Sequence, residues 1–400
     1  MQTLVPPAES ALKGLLEQFK PIFSKPQFRN FSTYILGLVA SEGKKNIDAI
    51  NRSFMDSRDQ STLNRFLTAS PWSIQRLESK RLTLARQGLP AAEGSTGTLI
   101  IDDTINEKTG KHMEEAGYHY DSSQGKAVWG HDLVTTHYVN GEAEYPASLS
   151  LYVKKDTCHE EGKVFKTKIM LAVEQMEAFT PPAGAMTIVA FDSWYFCQQV
   201  VEAARKRGWD WVTQAEANRV IHLRGVKMNV TELAESLPEE RFREVTVGGE
   251  AFSLSGLKAW MSKVGEVRLV VSREEDGFHF YASNRLEWTD RRVVEAYRVR
   301  QSIEVFYRDV KQNLGLEEYQ VRRARGAIIH WHLVFTAYTL LALLRRFLRG
   351  TMGRLGRVLD TLGGVCRWVK RQCFRRLVDW LFLKFKQQTK PETIYRRLGI

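Results

Sequence analysis

The chain has 400 residues, 43% hydrophobic and 11% aromatic, which excludes a disordered chain and allows a sizeable core in two to four domains. Its net charge of +12 is unevenly spread: residues 1–100 carry 13 Lys/Arg against 8 Asp/Glu, residues 321–400 carry 18 against 3, and residues 101–320 carry 27 against 35. Basic flanks around an acidic centre point to a polyanion such as nucleic acid, with metal or chemistry in the middle; the plainer reading is a set of solvated helix faces.

Residues 8–90 read as short helices, from "ALKGLLEQFKPIF" to two helices around "SPW", with Ser70 before Pro71 as a capping signal. No basic region followed by an apolar run opens the chain, so no signal peptide is expected. "GLPAAEGSTG", 88–97, reads as a linker. The period then changes. "TLIIDDT" and "MTIVAFDSWYF" are apolar strands that run into aspartates, "AVWGHDLVTTHYV" and "EYPASLSLYVK" alternate like neighbouring strands, and "FKTKIMLAVEQMEAF" and "CQQVVEAARKRG" are amphipathic helices. His119, His131 and His137 read as strand residues. Together these predict an α/β core. Residues 216–288 read as an inserted all-β segment, and helical periodicity returns at 289. "WHLVFTAYTLLALL", 331–344, is too short to span a bilayer and reads as a buried helix, so no membrane is expected. Cys158, Cys197, Cys366 and Cys373 show neither CxxC pairing nor zinc spacing, and read as reduced thiols of a cytosolic protein.

Carboxyl ends of strands in α/β sheets are where sites are built. Asp102 and Asp192, leaving neighbouring strands, could hold a hard divalent cation such as Mg²⁺ or Mn²⁺; the alternative for each is a turn or cap residue. In "AYRVRQSIEVFYRDVK", 296–311, a single helix at ~100° per residue puts Tyr297, Arg300, Glu304 and Lys311 within an arc of about 60°. That polar stripe borders the packed face of Val299, Ile303, Phe306, Tyr307, Val310 and Leu314. Glu304 could be a third metal carboxylate, with Arg300 and Lys311 as phosphate clamps and Tyr297 as a hydroxyl donor; the alternative is a solvated face with an Arg–Glu pair.

Tyr297-x2-Arg300-x3-Glu304-x6-Lys311, with "LIIDDT" and "IVAFDSWYF" ahead of it and "LGLEEYQVRRARGAIIHWHLVFTAYTLL" behind it, resembles the bacterial insertion-sequence transposases of the DDE type. The resemblance covers most of the chain. It implies an RNase H-like catalytic core (96–215 and 289–330) interrupted by the β-rich insertion (216–288). A helical DNA-binding domain (1–95) and a basic helical C-terminal region (331–400) would flank it, the latter touching DNA or a partner subunit.

The resemblance also implies the catalytic and metal-binding set Asp102, Asp192 and Glu304, with Asp103 a weaker choice than Asp102. Two Mg²⁺ ions, with Mn²⁺ as a substitute, would support hydrolysis at the element's ends and attack of the freed 3′-OH on target DNA. Trp194, Trp260 and Trp288 would be candidates to stack on a flipped base if excision passes through a hairpin. Double-stranded DNA, a homodimer and a location in the bacterial cytoplasm, at the nucleoid, are implied. The rivals are a non-catalytic, domesticated DNA-binding relative and another RNase H-like nuclease.

Overall fold

The structure, a computed structural model, describes residues 11–55, 59–91, 94–141, 143–352 and 359–398. Part of the basic stretch "RRFLRGTMGRLGR" lies outside the described residues. The helices α1 (Ala11–Glu17), α2 (Lys25–Ala40), α3 (Ile47–Arg52), α4 (Gln60–Thr68) and α5 (Ile74–Gly88) come first. Asn46, Asp59 and Ser73 each accept a main-chain N–H at the start of α3, α4 and α5. The cap of α5 is therefore Ser73 and not Ser70. Pro71 and Trp72 stay outside the helix, because Trp72 is buried against Phe66 and donates its Nε1–H to the Phe66 carbonyl at 3.1 Å.

Strands β1 (Thr96–Glu107), β2 (Gly117–Asp121), β3 (Lys126–Asn140) and β4 (Ala143–Tyr152) follow, then α6 (Lys155–Glu160), α7 (Lys168–Ala178), β5 (Met186–Phe191), α8 (Gln198–Lys206) and β6 (Asp210–Gln214). Next are β7 (Val220–Leu223), β8 (Val226–Asn229), α9 (Val230–Ser236), β9 (Arg243–Val247), β10 (Glu250–Met261), β11 (Gly265–Glu274) and β12 (Gly277–Ser283). The chain closes with α10 (Asp290–Arg298), α11 (Gln301–Leu314), α12 (Ala324–Met352), α13 (Leu362–Lys386) and α14 (Pro391–Leu398). There are two compact units: Met1–Pro90 with Ile105–His131 and Phe306–Ile400, and Ala91–Thr104 with Asp132–Val305.

The second unit is built on a mixed sheet in the order β4-β3-β1-β5-β6-β12-β11-β10, with β9 and β7 both on β10 and β8 on β7. β1, β5 and β6 run parallel at its centre. Leu99, Ile100, Ile101, Val189, Ala190 and Phe191 have no exposed surface, the continuous apolar run expected of parallel strands covered on both faces. At one edge β4 slips against β3 between Thr136 and His137, where Pro146 faces His137; a proline with no N–H to give belongs at such an irregular edge. Gln175 of α7 ties that edge down, donating to the Val134 carbonyl at 2.9 Å and to Ser150 at 3.0 Å and accepting from Ser148 at 2.9 Å.

Residues 216–288 depart from the expected all-β insertion. β12 pairs with β6, so the strands extend the core sheet. α9 interrupts them, because Asn229 and Glu232 form a reciprocal capping box that starts a helix.

In the first unit α12 is the core. Trp331, Leu333, Val334, Ala337, Leu341 and Leu344 are fully buried, and α1, α2, α4, α5 and α13 pack around the helix. The 14-residue apolar run is the middle of this 29-residue helix. Ala324–Gly350 is long and apolar enough to cross a membrane, but 94% of its most apolar 18-residue window is buried inside the protein. Burial pushes the His330 imidazole down to about 3. The neutral ring then accepts from the Tyr34 hydroxyl at Nδ1 (2.8 Å) and donates from Nε2 to the Gly315 carbonyl (3.0 Å).

Candidate active site

The register of β1 and β5 builds the site. Paired positions end at Ile101↔Phe191, so Asp102 and Asp192 are the next residues on two adjacent parallel strands. Asp192 does end its strand, whereas β1 runs on to Glu107 and Asp102 lies inside it. Asp192 is also the cap that its sequence allowed: Oδ1 accepts the Tyr195 N–H at 3.2 Å and starts a 3-10 turn, Ser193–Tyr195. Thr213 on β6 donates to its main-chain carbonyl at 3.2 Å.

The signature segment is not one helix. α10 ends at Arg298 and α11 begins at Gln301, with Val299 and Arg300 in a turn between them. The single-helix arc is therefore replaced by a corner, and Arg300 sits at it. Its Nη2 lies 3.1 Å from Asp102 Oδ2 and its Nη1 2.9 Å from Glu304 Oε1. The Arg300 side chain is 16% exposed and Asp102 14%, while Glu304 at the start of α11 is 58% exposed. Arg300 Nε is buried without a hydrogen-bond partner. Tyr297 on α10 donates to Gln214 Oε1 at 3.2 Å.

The electrostatics follow from crowding anions in a dry place. Burial, with Asp192 and Asp103 adding to it, pushes the Asp102 carboxyl up to about 7 although Arg300 opposes. Burial also raises Asp192. It raises the Tyr297 phenol to about 12, so the ring keeps its proton and donates. Burial works against the Arg300 charge, but Asp102, Tyr297 and Asp192 overcome it and hold the guanidinium above its ordinary value.

Three residues that the sequence did not single out, Tyr195, Lys168 and Asp132, complete the surroundings of Asp103. Asp103 takes the Tyr195 hydroxyl at 2.9 Å and the Lys168 ammonium at 2.7 Å. Successive strand residues face opposite ways, so the two adjacent aspartates serve different partners. Lys168 also reaches Asp132, fully buried on β3, at 2.6 Å. Burial and then Asp103 push Asp132 up to about 6, against Lys168.

Of the other candidates, Lys311 belongs to the first unit, where it pairs with Glu317 at 2.6 Å. Trp194 is 54% exposed beside Asp192, with Lys168 Nζ 5.5 Å from its ring. Trp260 is 55% exposed on β10, opposite Glu266 and His222. Trp288 is half-buried beneath Arg292, 5.2 Å from its ring. Among the described residues, Asp102, Asp192 and Glu304 do not gather their oxygens into one ligand cluster. The group that does, within 4.8 Å, is Glu274, Asp276 and His279 at the β11–β12 turn.

Residues 18–236 match the family described as DDE superfamily endonuclease, more than half of the chain. The chain belongs to the DDE superfamily endonucleases. Residues 153–340 match a second family, the transposase DDE domain. This DDE chain is 27% identical over 180 residues to the probable transposase for insertion sequence element IS701 of Microchaete diplosiphon. The match takes in 44% of this chain and 46% of that one, so the chain spans about half the length of the curated relative it matches. Its fold is similar to that of the piggyBac transposase in a synaptic complex with hairpin DNA. The TM-score is 0.51 at 11% identity, over 97% of this chain and 80% of that one.

The oxygen donors suit a divalent cation. Asp102, Asp192 and Glu304 offer carboxylate oxygens, with Asp192 and Asp103 crowding Asp102, and such hard oxygen ligands are what Mg²⁺ or Mn²⁺ takes.

Proposed function

We propose that this chain is a DNA transposase of insertion-sequence type. It would bind the element's terminal repeats, cleave at the ends and join the freed 3′-OH to target DNA. The observation that carries the reading is the register that sets Asp102 beside Asp192, with Arg300 bridging Asp102 to Glu304. Asp102, Asp192 and Glu304 would hold divalent cations, two per site as the resemblance implies. When bound, such an ion polarises the scissile phosphate and its attacking water.

The chain's own residues supply the rest. Arg300 turns its forked charge from the carboxylates to a phosphate, its unpartnered Nε–H adding a third donor. Tyr297, kept protonated, holds Gln214 at the rim. Lys311 adds positive charge for the strand, in exchange with Glu317. Trp194 is the platform for a flipped base, consistent with the hairpin DNA bound by the piggyBac enzyme. Double-stranded DNA is the partner, taken up by a homodimer with the basic helices at both ends of the chain.

The test is Mg²⁺-dependent cleavage of DNA carrying the element's ends, comparing the wild type with Glu304→Gln, which keeps shape and removes charge. Binding without cutting in the variant supports the assignment. Equal cutting by both proteins removes Glu304 from the site, and binding by both without any cutting favours a non-catalytic DNA-binding protein.

A further inference from the structure

The first unit holds a polar cavity that the reading above does not use. It is a half-open pocket of about 230 Å³ where the end of α2, the end of α11 and the start of α13 meet. Its walls include Ser41, Lys45, Asn313, Gly363, Arg367 and Lys370, and among the described residues no carboxylate lines it. The thiol of Cys366, also in the wall, is pushed up to about 12 by burial and stays neutral. Lys45, Arg367 and Lys370 thus bring three cations to its wall.

Two features point to what fills it. Ser41 is 1% exposed and its buried hydroxyl has no hydrogen-bond partner, a donor that a ligand in the cavity would satisfy. The second is the N-terminus of α13, a 25-residue helix whose first turn is Leu362-Gly363-Gly364. Thr361 takes the Gly364 N–H at 3.1 Å. Gly363 brings bare main chain to the wall, where a Cβ would stand 3.2 Å from Asn313 Oδ1 and 3.5 Å from Arg367 Nη1. Main-chain N–H groups at such an end favour an anion.

Lys45 is nearly fully buried. Its ammonium donates to the Ser41 carbonyl and its main-chain N–H to Glu318, which leaves two of three ammonium protons for a ligand. Burial, then Lys370, pushes Lys45 down to about 8, with Cys366, Glu318 and Glu42 opposing. Two further acids are near: Glu42, which acts on Lys45, and Asp309, which accepts from Asn313 at 3.4 Å.

We propose that this cavity binds a phosphate group, held by the Ser41 hydroxyl, the start of α13 and the charges of Lys45, Arg367 and Lys370. A backbone phosphate of DNA and free inorganic phosphate share that chemistry, and two measurements on the full chain separate them. The first is thermal melting in inorganic phosphate against chloride at equal ionic strength. The second is the salt dependence of binding to a duplex oligonucleotide. Both use the wild type, Ser41→Ala and the double variant Arg367→Gln/Lys370→Gln, each first shown to melt like the wild type in phosphate-free buffer.

If free phosphate is the ligand, it raises the wild-type Tm, the double variant loses the rise, and Ser41→Ala weakens apparent phosphate affinity about tenfold, one hydrogen bond to a charged group. If DNA is the source, the slope of log K against log salt falls by about one in the double variant, and Ser41→Ala weakens DNA binding without changing charge. No response in either measurement overturns the proposal. So does a slope change in the double variant that Ser41→Ala does not echo, since general surface charge would do the same. Because neither readout requires cleavage, the outcome is independent of the catalytic assignment.

Discussion

The Lys168 ammonium lies 2.6 Å from Asp132 Oδ2, a carboxylate with no exposed surface. Lys168 is also the first residue of α7, where the helix dipole disfavours a cation; Asp132 and Asp103 offset this. Lys168→Met strands a buried charge and should cost about 3–5 kcal/mol in denaturant unfolding. Adding Asp132→Asn should restore much of that loss. A double variant as unstable as the sum of the singles would show that the pair is not coupled.

Acid titration should expose Asp102. Its carboxyl is near 7 in the folded chain against an ordinary 3.8, so the folded state holds this proton more tightly than the unfolded state. The sign follows: stability falls as pH rises from about 4 to about 7, then levels off. Without metal, Asp102→Asn should match the wild type at pH 4 and exceed it by about 1–3 kcal/mol at pH 8. Mn²⁺ should stabilise only the wild type at pH 8. A difference that shrinks with rising pH contradicts this.

Arg300 competes with any cation for Asp102 and Glu304. Arg300→Gln should therefore bind Mn²⁺ about tenfold tighter, about 1.4 kcal/mol, while cutting DNA more slowly. Weaker metal binding in calorimetry would mean that the guanidinium supports the ligands and does not oppose them.

Trp194 is the one candidate tryptophan placed beside Asp192. Its replacement by Ala should cost about 1–3 kcal/mol of binding to DNA with an unpaired base at the end, as stacking does. Trp260→Ala should be neutral. Fluorescence of a base analogue at the flipped position reads this directly, and equal losses in both variants would argue against the choice.

Gly130 has no room for a side chain: a Cβ there would lie 2.2 Å from the Asn106 carbonyl oxygen, which is main chain. Gly130→Ala should destabilise by at least the ~1–3 kcal/mol typical of overpacking, measured by denaturant unfolding. A neutral result would mean that β1 and β3 can part locally.

Much of the centre was legible because it is written in short runs. Apolar β-branched stretches mark β1 and β5, and the aspartates following Ile101 and Phe191 inherit their places from strand register. The corner at Val299–Arg300 was not legible: no Gly or Pro marks it, and the apolar spacing carries on through it. Asp132 and Lys168 meet only after β3 and α7 have packed, and nothing in either segment points to the other. The same holds for Ser41 and Gly363, whose cavity is made by chain ends of three helices. Ser70 and Ser73 are equally good caps by type, and the burial of Trp72 chose between them.

The dependence of the N-terminal helices on α12 has a cost in time. Tyr34 and His330 are 296 residues apart, and α1, α2, α4 and α5 leave the ribosome long before the helix that covers their apolar faces. At about 5–20 residues per second the wait is on the order of tens of seconds. A nascent chain cut short between residues 90 and 324 therefore carries N-terminal helices whose apolar faces lack α12, and early termination should yield a fragment prone to aggregate.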